Sequence, residues 1–132
     1  MLDTNACICH LRSVARKDLS LRLSHINRKQ VVISTVSQGE LLFGARRSQR
    51  VDANLAALSE FFRRIRSLPF DSAAAQQYGE IRCDLANRGT MIGANDLIIA
   101  AIAMTHGLIV VTHNVSEFKR VNGLAIEDWE GD

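Results

Sequence analysis

The sequence predicts an α/β fold, in which a central, mainly parallel sheet of about four or five short strands is flanked by helices. Apolar, β-branched segments alternate along the 132 residues with segments of helical period. A composition of 47% apolar and 23% charged residues favours a packed core over disorder. We therefore expect one domain over residues 1–132. We expect no membrane span, since the longest apolar run, 97–104, is far shorter than about 20 residues.

The first third of the chain predicts a strand, a long helical region and a second strand. An apolar start of two residues leads to Asn5, a candidate helix cap. Apolar residues at helical spacing then fill 6–26, with a break near Lys17. Residues 31–33 are β-branched and apolar, which favours a buried strand. A Ser-Thr pair follows and caps a helix that runs to about residue 46.

The middle of the chain predicts two helices around a short strand. Leucine and phenylalanine side chains share one side of a helix over 51–66, and 68–70 is a candidate strand. Asp71 or Ser72 caps the next helix, over 73–87, and a glycine closes it.

The last third predicts a strongly apolar helix over 95–106, closed by Gly107, and a clear strand over 108–111. Polar residues end this strand, and a turn of helix leads to a final strand over 124–126. Because strands and helices alternate, we expect parallel strands with a ligand crevice beyond their carboxyl ends.

Charge is divided unevenly along the chain. Residues 1–66 hold 12 Lys and Arg against 5 Asp and Glu, whereas 67–132 hold 4 against 9. The two halves therefore carry +7 and −5 within a net charge of +2. The basic half suits phosphates and the acidic half suits metal cations or a basic peptide, although two ordinary solvated faces explain the same numbers.

The cysteines argue against a disulfide framework and against a zinc site. Cys7, Cys9 and Cys83 cannot all pair with one another, and the start of the chain lacks a basic segment followed by an apolar one. We therefore expect a reducing, cytoplasmic setting. Cys7, Cys9 and His10 do not have the paired-cysteine spacing usual for zinc sites, and a helix would scatter them. Cys83 is expected in the core.

Oxygen-bearing side chains follow the predicted strands. Asp3 comes directly after the first strand, Asn114 lies just beyond the strand over 108–111, and Asp96 lies in the first turn of its helix. Glu40 lies about 9 Å along the helix that follows the second strand. If the strands are parallel, these four groups open onto one edge of the sheet. Converging carboxylates repel one another unless a cation offsets their charge, and oxygen donors of this kind suit Mg²⁺ or Mn²⁺. Such an ion activates water for attack on a phosphoryl group.

Each of these residues also has an ordinary structural explanation. Asp3 and Asp96, taken singly, are commonly helix caps, and Asn114 is commonly a turn residue. Glu40 is harder to explain in this way, because its apolar neighbours indicate burial, where an unpaired carboxylate is costly. The spacing of these residues alone does not decide between a metal site and ordinary capping and turn roles.

Four sequence blocks, in this order, resemble the PIN-domain family and within it the VapC toxins of bacterial toxin–antitoxin pairs. They are MLDTN at the start, VSQGELLFGA at 36–45, IGANDLIIAA at 92–101 and VTHNVSEF at 111–118. Residues 121–129 resemble the family's tail. The resemblance implies a PIN-like fold and a metal-dependent endoribonuclease that hydrolyses RNA phosphodiester bonds, with tRNA as an expected substrate. It also implies that Asp3, Glu40 and Asp96 hold Mg²⁺ or Mn²⁺, with Asn114 as an auxiliary ligand.

The resemblance further implies partners. These are a VapB-type antitoxin that crosses the active-site groove, a second copy in a homodimer, and operator DNA bound only through the antitoxin complex. Asn114 stands where the family often has Asp, so the fourth charge is missing, and Glu117 is expected as a surface residue rather than a substitute. The apolar start is shorter than in many relatives, which leaves open a short first strand or one that begins upstream.

Hydroxyl, amide and basic side chains near these four residues are candidates for hydrogen bonds to the carboxylates or for contacts with RNA. They are Thr4, Asn5, Asn95, Thr112, His113, Arg46 and Arg47. The two threonines are equally suited to capping helices, and metal-activated water does not require His113.

Two other functions stay open. A catalytically weak PIN module would bind RNA or an antitoxin without cutting, and the uncharged Asn114 favours it. A haloacid-dehalogenase-type phosphatase would use Asp3 as its nucleophile. That family needs a second Asp two residues later, where this chain has Asn5, and a lysine for which the chain offers no good candidate.

Overall fold

The structure, a computed structural model, describes residues 1–12 and 17–130. In chain order its elements are α1 (Thr4–Arg12), α2 (Lys17–Ser24), β1 (Val32–Ser34), α3 (Thr35–Arg46), α4 (Val51–Arg64), β2 (Arg66–Leu68), α5 (Ser72–Arg88), α6 (Ala94–His106), β3 (Val110–Val111), α7 (Val115–Phe118) and β4 (Ile126–Glu127). The predicted alternation of strands and helices is confirmed. No helix in these ranges is both long enough and apolar enough to cross a lipid bilayer.

Both strand pairs are parallel, and backbone hydrogen bonds of the first two residues connect one pair to the other. β1 pairs with β2, and β3 pairs with β4. The backbone N–H of Leu2 donates to the carbonyl of Val32 at 2.9 Å, and the N–H of Val111 donates to the carbonyl of Met1 at 2.7 Å. The first residues therefore lie between β1 and β3, in the order β2, β1, N-terminal segment, β3, β4. This confirms the predicted parallel sheet of short strands.

Alternate strand residues bury their side chains on opposite faces of the sheet. One face contributes Met1, Val32 and Val110 to a core under α5 and α6. The other contributes Leu2, Ile33 and Val111 to a core under α1 to α4. Full burial of an aliphatic side chain stabilises the fold by about 1.5–3 kcal/mol, so both layers hold the strand ends in place.

The helix ends follow the signals in the sequence. Ser34 caps α3 and Asp71 caps α5, each accepting a hydrogen bond from the backbone N–H three residues further on. Gly89 and Gly107 end α5 and α6 with φ of 65° and 62°, in the left-handed region that favours glycine.

Two local predictions about the chain's elements are wrong. The strand expected at 68–70 lies at Arg66–Leu68, because that register pairs it with β1, and the proline that follows cannot donate to the ladder. Asn5 does not cap a helix. It lies inside α1, and the cap is Asp3, whose Oδ1 accepts from the backbone N–H three residues on at 2.8 Å.

Two further expectations also differ from the structure. The helical region over 6–26 is two helices, of which α2 begins at Lys17, where the break was expected. Residues 13–16 lie outside the described residues. Cys83 is exposed rather than part of the core, because α5 turns Ile81 and Leu85 inward and leaves Cys83 on its opposite side.

Candidate active site

A cleft of about 640 Å³ opens where the N-terminal segment and β1 end. Three acidic side chains from distant parts of the chain line it: Asp3, Glu40 and Asp96. Asp3 follows the N-terminal segment, Glu40 lies on α3, and Asp96 lies in the first turn of α6. The parallel sheet places the starts of these helices at one edge, which is why the three carboxylates share a cleft.

Asp3 is buried, and each of its carboxylate oxygens accepts a hydrogen bond. Oδ1 accepts from the backbone N–H of Ala6, and Oδ2 accepts from Thr112 Oγ1 at 2.6 Å. Thr112 is itself buried and accepts from the N–H of Asn114 at 2.8 Å. Burial raises the pKa of Asp3 above its ordinary value, against the lowering effect of its two hydrogen bonds, and nearby acidic groups raise it further.

Glu40 is held from across the cleft. Thr4 Oγ1 lies 2.7 Å from Glu40 Oε1, to which it donates, and 3.0 Å from Ser37 Oγ. Thr4 is the first residue of α1, and Glu40 lies in the middle of α3. This hydrogen bond therefore joins α1, which Asp3 caps, to α3, which carries Glu40.

Asp96 shares a polar cluster with Asn114 and Glu117. Asn114 Nδ2 donates to Asp96 Oδ2 at 3.2 Å and to Glu117 Oε2. The backbone N–H of Gly93 donates to Glu117 Oε1 at 2.6 Å. Burial and the neighbouring Glu117 raise the pKa of Asp96 to about 7, whereas the Gly93 amide lowers the pKa of Glu117. As the pH rises, the pair therefore keeps one proton on Asp96 until the pH approaches neutrality.

Glu117 is partly exposed, in line with the expectation of a surface residue, but it also has contacts that the sequence did not predict. The carboxylate of Glu117 accepts a hydrogen bond from the backbone N–H of Gly93, in the loop before α6. It also shares a hydrogen bond with the carboxyl group of Asp96. The sequence holds a partial signal, since Asn114 and Glu117 are three residues apart at the start of a short helix. That spacing is also typical of a local capping box, in which the glutamate would reach back to its own helix.

Asn114 presents a different atom from the one expected. Its amide nitrogen, and not its oxygen, faces the carboxylates of Asp96 and Glu117. Among residues 1–12 and 17–130, no three His, Cys, Asp or Glu side chains lie close enough together to hold a metal ion by themselves. The cleft is therefore an open acidic site rather than a closed cage.

The PIN-domain family profile matches residues 1–124. The chain belongs to the PIN-domain family. The resemblance seen in the four sequence blocks is thereby confirmed, together with the PIN-like fold.

Similar proteins of this family are VapC ribonucleases. This PIN domain is 44% identical over 130 residues to a VapC of Shigella flexneri named as a tRNA(fMet)-specific endonuclease, covering 98% of this chain and 96% of that protein. It is 36% identical over 131 residues to ribonuclease VapC2 of Haemophilus influenzae, again covering 98% and 96%. The predicted similarity to VapC-type ribonucleases is confirmed.

Two solved structures of similar shape are VapBC complexes bound to DNA. The VapBC2 complex of Rickettsia felis, bound to a DNA fragment from its promoter, has a chain that matches with a TM-score of 0.90 and 32% identity, covering 98% of this PIN domain and 97% of that chain. The DNA-bound VapBC complex of Salmonella typhimurium has a chain that matches with a TM-score of 0.91 and 40% identity, covering 98% of this PIN domain and 96% of that chain.

The remaining candidate residues occupy different places in this PIN domain. Asn5 and Asn95 line the cleft with the acidic residues. His113 is half-exposed, and its Nδ1 lies 3.0 Å from Asp128 Oδ2. Two arginines lie at the end of α3 and are exposed: Arg46 and Arg47. Their proposed contacts with RNA stay predictions.

Proposed function

We propose that this PIN domain is a Mg²⁺- or Mn²⁺-dependent endoribonuclease and the toxin of a VapBC-type pair, and that it hydrolyses phosphodiester bonds in tRNA. The observation that carries the proposal is that Asp3, Glu40 and Asp96 line one open cleft. The name of the Shigella flexneri relative, a tRNA(fMet)-specific endonuclease, supports tRNA as the substrate class.

The donor chemistry of the cleft fits a hydrated divalent cation. Asp3, Glu40 and Asp96 supply oxygen donors, which Mg²⁺ and Mn²⁺ prefer. Mg²⁺ keeps several of its waters, so an open site with few direct protein ligands suits it better than a closed one. Burial, and after it the neighbouring carboxylates, raises the pKa values of Asp3 and Asp96, and a cation in the cleft would favour their ionised forms. When bound, such an ion lowers the pKa of water and polarises a phosphoryl oxygen.

The surrounding residues fix the carboxylates in position. Thr112 holds Asp3, and Thr4 holds Glu40, each by a hydroxyl that donates to the carboxylate. Asn114 donates a hydrogen bond to Asp96, and Glu117 shares a hydrogen bond with the same carboxyl group, so both would position Asp96 as a ligand of a bound cation. We infer that these four residues orient the acidic groups toward the cation and the phosphate.

The proposed partners follow from the same comparisons. The complexes of Salmonella typhimurium and Rickettsia felis are VapBC assemblies bound to DNA, which in the Rickettsia felis complex is a fragment of the promoter. We propose a VapB-type antitoxin as the partner of this chain, contact with operator DNA through that complex, and a homodimer. A cytoplasmic location follows from the proposed tRNA substrate.

The second candidate function is a PIN module that binds RNA or an antitoxin but cuts RNA weakly or not at all. The reason for it is that Asn114 is uncharged where the family often has Asp. The structure weakens that reason, because Glu117 places a carboxylate beside Asp96 at the same end of β3. We therefore favour the active enzyme.

Asp96→Asn tests the proposal, because it removes a carboxylate and keeps the shape of the side chain. Purified wild-type protein should cut bulk bacterial tRNA when Mn²⁺ or Mg²⁺ is added and should not cut it in EDTA. Asp96→Asn should lose at least about 100-fold in cleavage rate while its circular dichroism stays unchanged. Asp52→Asn is the matched control, since Asp52 is exposed in the first turn of α4. Equal cleavage by wild type and Asp96→Asn would contradict the proposal.

A further inference from the structure

Phe43 is a large aromatic side chain that the fold leaves in water beside the acidic cleft. It is 63% exposed, although it lies on the same helix as the buried residues Leu41 and Ala45. It lines the cleft together with Glu40 and Asp96. Glu40 and Phe43 are three residues apart on α3, so both project from one side of that helix. What sets Phe43 apart from other exposed apolar side chains, such as Leu21 and Met91, is that it lines the cleft with the three acidic residues, where its ring is free to contact a ligand.

The surroundings of the ring are polar and basic. The guanidinium of Arg47 lies over the Phe43 ring, 5.7 Å from its centroid. Arg47 is exposed and follows α3 directly, with Arg46 beside it and Arg50 just beyond. The ring therefore has a cation on one side and the acidic cleft on the other.

One residue in the helix turn before the ring, Gly39, carries no side chain. Gly39 lines the cleft four residues before Phe43, and a Cβ added to Gly39 would meet nothing within 4 Å. Helical side chains lean toward the N-terminus and over the preceding turn, so Phe43 leans toward Gly39. The space above Gly39 is therefore open beside the ring, and a planar group can stack there.

We propose that Phe43 is a substrate-binding residue on which an unpaired RNA base next to the scissile phosphate stacks, while Arg47 contacts the RNA backbone. The proposal rests on the proposed ribonuclease function and adds to it the residue that holds the substrate base beside the acidic groups. Aromatic side chains bind unpaired bases by stacking, and arginine next to them neutralises phosphate. Such a stack places a phosphate near Glu40 and Asp96 without any contact to a paired helix.

A protein partner is the other class of occupant for an exposed ring. The observations favour RNA, because the guanidinium of Arg47 lies over the ring and two further exposed arginines, Arg46 and Arg50, flank it in the sequence, where they attract phosphate. Ile8 and Val36 also line the cleft, so an apolar peptide side chain is the alternative occupant that the test must separate from a base.

The test compares Phe43→Leu with Phe43→Trp. Leucine keeps an apolar side chain but removes the flat face, whereas tryptophan keeps a flat face. The probes are a fluorescent RNA hairpin with an unpaired loop and a fully paired RNA duplex of equal length. Binding is measured by fluorescence anisotropy in EDTA, and cleavage is measured with Mn²⁺ as kcat and KM. The melting temperature should stay unchanged, because the side chain is exposed.

We expect Phe43→Leu to weaken binding of the hairpin about 10-fold and to raise KM by a similar factor, and Phe43→Trp to bind as the wild type does. Duplex binding should not change in either variant. Replacing the loop base nearest the cut by an abasic site should remove the difference between wild type and Phe43→Leu.

Unchanged hairpin binding by Phe43→Leu would overturn the proposal, as would weakened capture of a co-expressed antitoxin with RNA binding intact. If the wild type cuts no RNA, the ribonuclease function fails, and the anisotropy measurements in EDTA still decide the stacking proposal.

Discussion

At the scale of single residues, the site depends on hydroxyl groups that hold carboxylates. Thr112 Oγ1 donates to Asp3 and accepts from the backbone of Asn114, so one buried hydroxyl joins the N-terminal segment to the end of β3. Hydrogen bonds to charged groups are stronger than neutral ones, and a buried carboxylate that loses its donor becomes costly. We infer that this threonine serves both the stability of the fold and the position of Asp3.

Thr112→Val should therefore be destabilising although it keeps the size and branching of the side chain. The change leaves Asp3 Oδ2 without its donor in a buried place, and we expect a loss of about 1–3 kcal/mol in the free energy of unfolding. Urea denaturation measures this loss, and Thr112→Ser, which restores the hydroxyl, should recover most of it. Equal stability of wild type and Thr112→Val would show that the hydrogen bond contributes nothing.

The raised pKa of Asp96 predicts a pH dependence of stability in metal-free protein. The unfolded chain loses this proton near the ordinary value of 3.8, whereas the folded chain keeps it until about 7. Within this window the folded state binds the extra proton, so the free energy of unfolding decreases as the pH rises. Because the pKa of Glu117 is lowered from its ordinary 4.5, Glu117 stays ionised across the upper part of the window.

In EDTA, we expect the melting temperature of the wild type to fall by about 3 °C more than that of Asp96→Asn between about pH 5 and about pH 8. The asparagine amide replaces the protonated carboxyl and does not titrate, so the difference isolates this group from the others. Differential scanning fluorimetry measures both curves. Parallel curves for the two proteins would contradict the assigned pKa shift.

At the scale of elements, a hydrogen bond from the loop before α6 to the short helix α7 holds the start of α6 in place. Glu117 reaches from α7 to the backbone N–H of Gly93, directly before α6, and Asp96 lies in the first turn of the same helix. A Cβ added to Gly93 would lie 3.5 Å from Glu117 Oε1, which shows how closely the loop approaches the carboxylate. The position of Asp96 thus depends on α7, which is separated from it in the chain by the rest of α6 and by β3.

Glu117→Ala should loosen this attachment. We expect faster hydrogen exchange at the Gly93 amide and a cleavage rate about 10-fold lower, because Asp96 loses a fixed position. Removal of the neighbouring charge should also bring the pKa of Asp96 down toward its ordinary value. Ser116→Ala, an exposed position on the same helix, is the control and should behave as the wild type does. Unchanged exchange at Gly93 in Glu117→Ala would contradict the fastening role.

Elements with strong local signals were predictable from the sequence. Helix caps and closing glycines depend on backbone conformation within a few residues, so a short stretch of sequence is enough to predict them. Examples are the caps Ser34 and Asp71 and the closing residues Gly89 and Gly107. The strand at 68–70 was misplaced because its register depends on β1, which is distant in the chain.

At the scale of the whole molecule, the parallel sheet brings distant acidic residues together. Alternation of strands and helices is visible in the sequence, and it was enough to predict that Asp3, Glu40 and Asp96 share an edge, which the cleft bears out. The contact of Glu117 with Asp96 was not predictable in this way, because it depends on how α7 packs against the loop before α6. The exposure of Phe43 also follows from packing, since a phenylalanine in an apolar helix favours burial.

The central claim is that the three acidic side chains bind a divalent cation, and calorimetric titration of metal-stripped protein with Mn²⁺ tests it most directly. The titration is done at about pH 8, where Asp96 is ionised. We predict that wild type and Asp52→Asn bind Mn²⁺ alike, and that Asp96→Asn binds it at least about tenfold more weakly. Equal Mn²⁺ affinity in Asp96→Asn and wild type, or no binding by the wild type, would contradict the claim.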